Sequence, residues 1–211
     1  MRRLPVYFLL DTSGSMYGEP IQALNNALSG MVNTLRQDPQ ALDSLWLSMI
    51  TFDKEVREIM PLTELVSFQL PEITCPQSGP TNMGEALWML AEKVERDVRK
   101  STPTQKGDWK PLLFILTDGS PSDLATFREA VPKIKSMNFG VVVGCAAGPK
   151  AREEFLKELT DKVVRLDTAD SATLKQFFRW VSDSIQMGSN SQGTGAALTL
   201  PPPPNELSLV I

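Results

Sequence analysis

The chain has 211 residues, 42% hydrophobic and 22% charged, with a formal net charge of −4. That length suits one α/β domain followed by a tail, and the interspersed charges leave no basic patch, which argues against nucleic acid as a partner. Histidine is absent and the two cysteines, Cys75 and Cys145, stand far apart. A Ser-His-Asp triad, a Cys-His nucleophile, His-ligated zinc and a CxxC motif are thereby excluded, and chemistry falls to oxygen ligands, which suit hard cations.

The start, Met1-Arg2-Arg3 before an apolar run at 4–10, has a faint look of a signal peptide. The run is short, contains Pro5, ends in Asp11 and leads to no small-residue cleavage site, so it reads as a strand buried on both faces. No stretch approaches the ~20 apolar residues of a membrane span, and the cytoplasm is the expected location. Asp11-Thr12-Ser13-Gly14-Ser15 is a turn-rich loop. A helix follows with Pro20 in its first turn and an apolar stripe at Ile21, Leu24, Leu28, Met31 and Leu35, and Asp38-Pro39 ends it.

Residues 45–52 and 56–62 read as two strands joined by a tight turn, hence antiparallel, with the second at a sheet edge. Residues 74–80 form a loop, and Thr81-Asn82 opens a helix carrying Met83, Leu87, Leu90, Val94 and Val98. After a polar connector, residues 112–116 form a fully apolar strand that runs into Thr117-Asp118-Gly119. Ser122 or Asp123 is the expected cap of the next helix. A strand at 139–146, a short helix at 150–159 and a strand at 163–166 follow, then a last helix capped by Asp170 or Ser171 and ended by Gly188.

Alternating strands and helices predict a doubly wound, Rossmann-like α/β fold: a mostly parallel six-stranded sheet with one antiparallel edge strand and helices on both faces. The domain is expected over 1–187. Residues 188–211 read as a flexible tail, rich in Gly, Ser and Pro, with a polyproline run at 201–204 and a short apolar end of β character.

Three polar elements then fall on strand ends or helix starts. Asp11, Ser13 and Ser15 follow the first strand, Asp118 follows the fourth, and Thr81 begins the helix between. In a doubly wound sheet such loops meet at the switch point where ligands bind. Three neutral hydroxyls and two carboxylates suit an octahedral oxygen-liking ion such as Mg²⁺. Mn²⁺ and Ca²⁺ take the same ligand type. If the carboxylates act through water, the ion stays electron-poor and accepts an outside carboxylate. Met16, Tyr17, Asn82 and Pro121 lie beside these residues in sequence and are the candidate rim for reading a partner.

Asp11-Thr12-Ser13-Gly14-Ser15 resembles the DxSxS signature of the metal-ion-dependent adhesion site in von Willebrand factor type A domains. Thr81, in Gly79-Pro80-Thr81-Asn82, is similar to that family's separate Thr, and Asp118, in Leu116-Thr117-Asp118-Gly119, to its second Asp. The resemblance implies that Ser13, Ser15 and Thr81 contact the metal, that Asp11 and Asp118 act through water, and that a partner Glu or Asp completes the shell. The phrases Pro5-Val6-Tyr7-Phe8-Leu9-Leu10-Asp11-Thr12-Ser13-Gly14-Ser15-Met16 and Gly18-Glu19-Pro20-Ile21 look most like TerY-type proteins of bacterial tellurite-resistance systems. Some of those carry a further metal-binding module, whereas no Cys or His follows Cys145 here, so the partner implied is a separate metal-binding or tellurite-resistance protein.

Two other readings stand beside this one. A Mg²⁺-dependent phosphatase would also place an Asp after its first strand, but it needs a second Asp two residues on, where Ser13 stands. A metal-independent scaffold would act through the sheet edge and the tail. Nucleotide hydrolysis fits poorly: Gly79-Pro-Thr-Asn-Met-Gly84 mimics half a P-loop, yet Glu85-Ala86 follows where Lys and Ser or Thr are required. The expectation is a binding module and not an enzyme.

Overall fold

A computed structural model of the protein describes residues 2–190, 200–204 and 207–210. The first strand, β1 (Leu4–Asp11), is buried along its whole length. It lies between β2 (Leu45–Phe52) and β4 (Leu112–Thr117), parallel to both. Beyond β2, β3 (Val56–Glu64) pairs antiparallel at the edge. On the other side β5 (Val141–Ala147) and β6 (Val163–Leu166) continue the parallel set. Five parallel strands and one antiparallel edge strand thus form in the order β3-β2-β1-β4-β5-β6.

The period-two alternation of β1 sends its side chains into two cores. Val6, Phe8 and Leu10 pack against α1 (Glu19–Leu35) and α6 (Ser171–Asn190). Phe8 stacks on Phe114 with ring centroids 5.6 Å apart. Tyr7 and Leu9 face α3 (Met83–Asp97), α4 (Leu124–Ser136) and α5 (Glu153–Leu159). Both faces being covered explains the unbroken apolar runs of the central strands. The strand order reverses between β1 and β4, so the crevice of the fold opens above their carboxyl ends.

Several local expectations need correction. Asp38 does more than end α1: its carboxylate accepts the N–H groups of Gln40 and Ala41 and starts a short helix, α2 (Pro39–Ser44). Proline at a first helical position begins a helix as readily as it ends one. Helix α6 passes Gly188 and runs to Asn190, and Ser189 bonds Ser44 across the α2–α6 contact at 2.9 Å. A seventh strand, β7 (Ser208–Val210), pairs antiparallel with β6. Leu207 is buried in the core, and the Trp180 indole N–H donates to the Pro201 carbonyl at 2.9 Å. These parts of the predicted tail therefore lie on the domain; residues 191–199, 205–206 and 211 fall outside the described set.

The most consequential correction concerns Asp123. The sequence offers Ser122 or Asp123 as the cap of α4; Asp123 holds the N-cap position but makes no side-chain cap there. Its carboxylate instead accepts from the N–H groups of Gly84 and Glu85, at 3.0 and 2.9 Å, and so caps α3 from a neighbouring element. Gly84 permits this closeness, since a Cβ there would come within 2.3 Å of the Phe127 backbone nitrogen. Asp170 does cap α6, accepting from the Thr173 N–H at 2.9 Å.

Asp123→Ala leaves two N–H groups of α3 without their acceptor, and a lost cap costs about 1–2 kcal/mol. Urea unfolding is expected to show a loss of that size, with an unchanged result contradicting the cross-helix cap. Gly84→Ala is expected to cost more, because backbone must move.

Candidate metal centre

Parallel pairing sets Leu10 beside Leu116, so β1 and β4 end level with each other. Asp11, the last residue of β1, is fully buried. One of its carboxylate oxygens accepts the Ser13 N–H at 2.8 Å and the other accepts the Thr117 hydroxyl at 2.6 Å. The first bond curls the chain after β1 into a tight loop; the second ties that loop to β4. A single 3-10 turn, Gly14–Met16, then brings Ser13 and Ser15 together, their Oγ atoms 3.2 Å apart. The Ser15 hydroxyl donates to Asp118 Oδ1 at 2.7 Å. Three predicted ligands therefore form one continuous chain of oxygens over the crevice.

Thr81 arrives from the third region. Its N–H donates to the Ser122 hydroxyl at 2.9 Å, and its carbonyl accepts the Ser122 N–H at 2.8 Å. This reciprocal clamp ties Thr81 to the loop after β4. Its hydroxyl lies against Gly119, where a Cβ would approach it to 3.4 Å. The loop before Thr81 presses on the first loop so closely that a Cβ on Gly14 would sit 2.4 Å from Ser78 Cα. Asp53, at the end of β2, links these parts. It is buried, it accepts the Thr12 hydroxyl at 3.0 Å, and its carbonyl accepts the Asn82 N–H at 3.0 Å. From the sequence Ser122 reads only as a candidate helix cap, and Asp53 is given no role at the site; their partners Thr81, Thr12 and Asn82 are brought to them by the fold and not by proximity in sequence.

The predicted rim divides. Tyr17 is 53% exposed, and its hydroxyl accepts from the Gln77 side chain at 3.3 Å. Asn82 is half-buried and donates to the Lys54 carbonyl. Met16, by contrast, is 0% exposed and belongs to the core, and Pro121 is buried. These two are removed from the rim: the 3-10 turn rolls Met16 beneath the loop while Ser15 stays outside.

The donor set fits a small hard cation. A Mg²⁺–oxygen distance of roughly 2.1 Å puts neighbouring octahedral corners about 3.0 Å apart, and the Ser13 and Ser15 Oγ atoms lie 3.2 Å apart. Charge points the same way. Among the described residues neither Asp11 nor Asp118 forms an ion pair, and the Lys150 charge acts on Asp118 without a direct contact. Burial pushes the Asp11 carboxyl up to about 6, against hydrogen bonds from Ser13 and Thr117 that lower it. Asp118 is raised too, again by burial, with the Ser15 bond opposing.

The folded chain thus holds the Asp11 proton more tightly than the unfolded chain does. Stability contributed by the neutral carboxyl is present below about pH 4 and is lost as the pH rises through about 6, a loss of about 2–3 kcal/mol. Asn at this position keeps both neighbours bonded, since its oxygen accepts from Ser13 and its amide donates to the Thr117 oxygen. Asp11→Asn is therefore expected to raise the thermal midpoint of the EDTA-treated protein at neutral pH and to flatten its dependence between pH 4 and 6. A lower midpoint would contradict the burial of an unpaired charge. Gly14→Ala is expected to lower the midpoint and separate the two loops.

Among the described residues no helix is long and apolar enough to cross a membrane. A comparison with curated protein sequences gives no match. Solved structures share the fold at low identity. A von Willebrand factor type A protein from Catenulispora acidiphila is 19% identical, with TM-score 0.63, over 88% of this chain and 43% of that one. Proximal thread matrix protein 1 from the mussel byssus, in a form whose metal-ion-dependent adhesion-site motif holds zinc, is 16% identical, with TM-score 0.63, over 86% and 45%. The PilB minor pilin of Streptococcus sanguinis is 13% identical, with TM-score 0.64, over 92% and 63%. The chain spans less than two thirds of each. The sequence profile of the von Willebrand factor type A domain matches residues 6–180, and the chain belongs to that family.

Proposed function

We propose that the protein is a metal-dependent protein-interaction module whose adhesion-site motif holds Mg²⁺ and docks an acidic residue of a partner protein. Domains of this family often bind a divalent metal and mediate protein contacts. The observation that carries the reading is the chain of oxygens from Ser13 through Ser15 to Asp118, with Asp11 and Asp118 both buried and neither in an ion pair among the described residues. Ser13, Ser15 and Thr81 would hold the ion directly, and Asp11 and Asp118 through water. The ion would supply an electron-poor position that accepts an outside Glu or Asp. Asp11, held by Ser13 and Thr117, fixes the loop that carries both serines.

No reaction is assigned to the site. The position a phosphatase would fill with a second Asp is Ser13, and Ser122 is occupied in clamping Thr81. The phrases around Asp11 and Pro20 support a place as a cytoplasmic adaptor in a bacterial tellurite-resistance or stress-response system, with a separate metal-binding protein as partner.

The test is capture of partners from source-cell lysate by tagged wild type in Mg²⁺, wild type in EDTA, and Asp11→Ala in Mg²⁺. A protein retained only in the first condition is expected, by at least about tenfold over the other two, the discrimination typical of losing one strong interaction. Equal capture in all three would move docking away from the metal centre.

A further inference from the structure

A cavity of about 390 Å³ opens directly beside the metal centre, and Ser15 and Asp118 line both. It lies over the ends of β5 and β6 and against the start of α1. Its walls are apolar: Pro20 from α1, Ala147 at the end of β5, Pro149 in the following turn, and Ala169 before α6. Gly148, between two of them, has φ +87°, with open space where a Cβ would point. A side chain there would be strained by the backbone conformation.

The polar groups around this cavity are mostly engaged. Asp170 spends its carboxylate on the Thr173 N–H and the Thr168 hydroxyl, and Asp118 accepts from Ser15. Glu19 and Lys150 bring opposite charges to the lining, and neither they nor Asp118 and Asp170 form an ion pair among the described residues. What the cavity offers an occupant is removal of apolar surface from water.

We infer that this cavity is a second docking position, one that takes an aliphatic side chain of the same partner segment that supplies the carboxylate. The inference rests on the metal-dependent reading of the neighbouring centre. Because the two positions share Ser15 and Asp118, one extended segment reaches both, at roughly 3.3 Å per residue. The aliphatic residue therefore lies within two positions of the acid. The partner is recognised by an acidic residue with Leu, Ile, Val or Met beside it, and an acidic run alone is a poor ligand, since Glu19, Asp118 and Asp170 outweigh Lys150 along the lining.

The experiment displays two peptide libraries to the immobilised full-length protein in Mg²⁺ and elutes with EDTA. One library has a fixed central Glu and random flanks; the other has Gln at the centre. Glu-centred peptides carrying an aliphatic residue within two positions are expected to be enriched. Replacing that residue by Gly is expected to weaken binding about tenfold, the usual effect of unburying one aliphatic side chain. Ala169→Trp and Pro149→Trp fill the cavity from opposite walls, the second from an exposed position. Each, with an unchanged circular dichroism spectrum, is expected to erase the aliphatic preference. EDTA-eluted Glu peptides without that preference would overturn the second docking position and leave the metal reading intact. Equal recovery of Glu and Gln peptides, or recovery of neither, would overturn both.

Discussion

Two carboxylates are buried at the ends of adjacent parallel strands, and among the described residues neither forms an ion pair. Asp11 is fully buried and Asp118 nearly so. An unpaired buried charge costs several kcal/mol unless a partner relieves it. Loop geometry here turns that cost into a site: the hydrogen bonds that partly satisfy Asp11 also fold the β1–α1 loop and join it to β4. The centre is therefore a feature of the fold's switch point, and the three loops that meet there are tied by the same groups that would bind.

Side chains behind the candidate ligands tie those loops together. Ser122 clamps the backbone of Thr81, Asp123 caps the helix that Thr81 precedes, and Asp53 fastens both β1's loop and Asn82. One segment, from Asp118 to Asp123, thus supplies a candidate ligand, a positioning hydroxyl and a helix cap within six residues. Such sharing means that substitutions in this segment act on stability and on binding together.

Much of this was legible in the sequence because the signals are local. Unbroken apolar runs marked the central strands, and the polar residues that close them marked the crevice. The short link at Asp53-Lys54 foretold the antiparallel edge. What escaped was non-local. Asp123 looked like a cap for its own helix, and only packing, through Gly84 against Phe127, shows it serving α3. Met16 seemed a rim residue from its place beside Ser15, but one 3-10 turn separates neighbours into inside and outside. The β character of the apolar end after the proline run was legible, but its pairing with β6 was not, because the run reads as a spacer leading away from the domain.

The central claim is that Ser13, Ser15, Thr81, Asp11 and Asp118 together hold one divalent ion. The most direct measurement is an anomalous difference map from a crystal of the protein soaked in Mn²⁺, collected at the manganese edge. A single peak is predicted between the Ser13, Ser15 and Thr81 hydroxyls, at about 2.1–2.3 Å from each, with the carboxylates one water further out. No peak there, or a peak on surface carboxylates alone, would contradict the account.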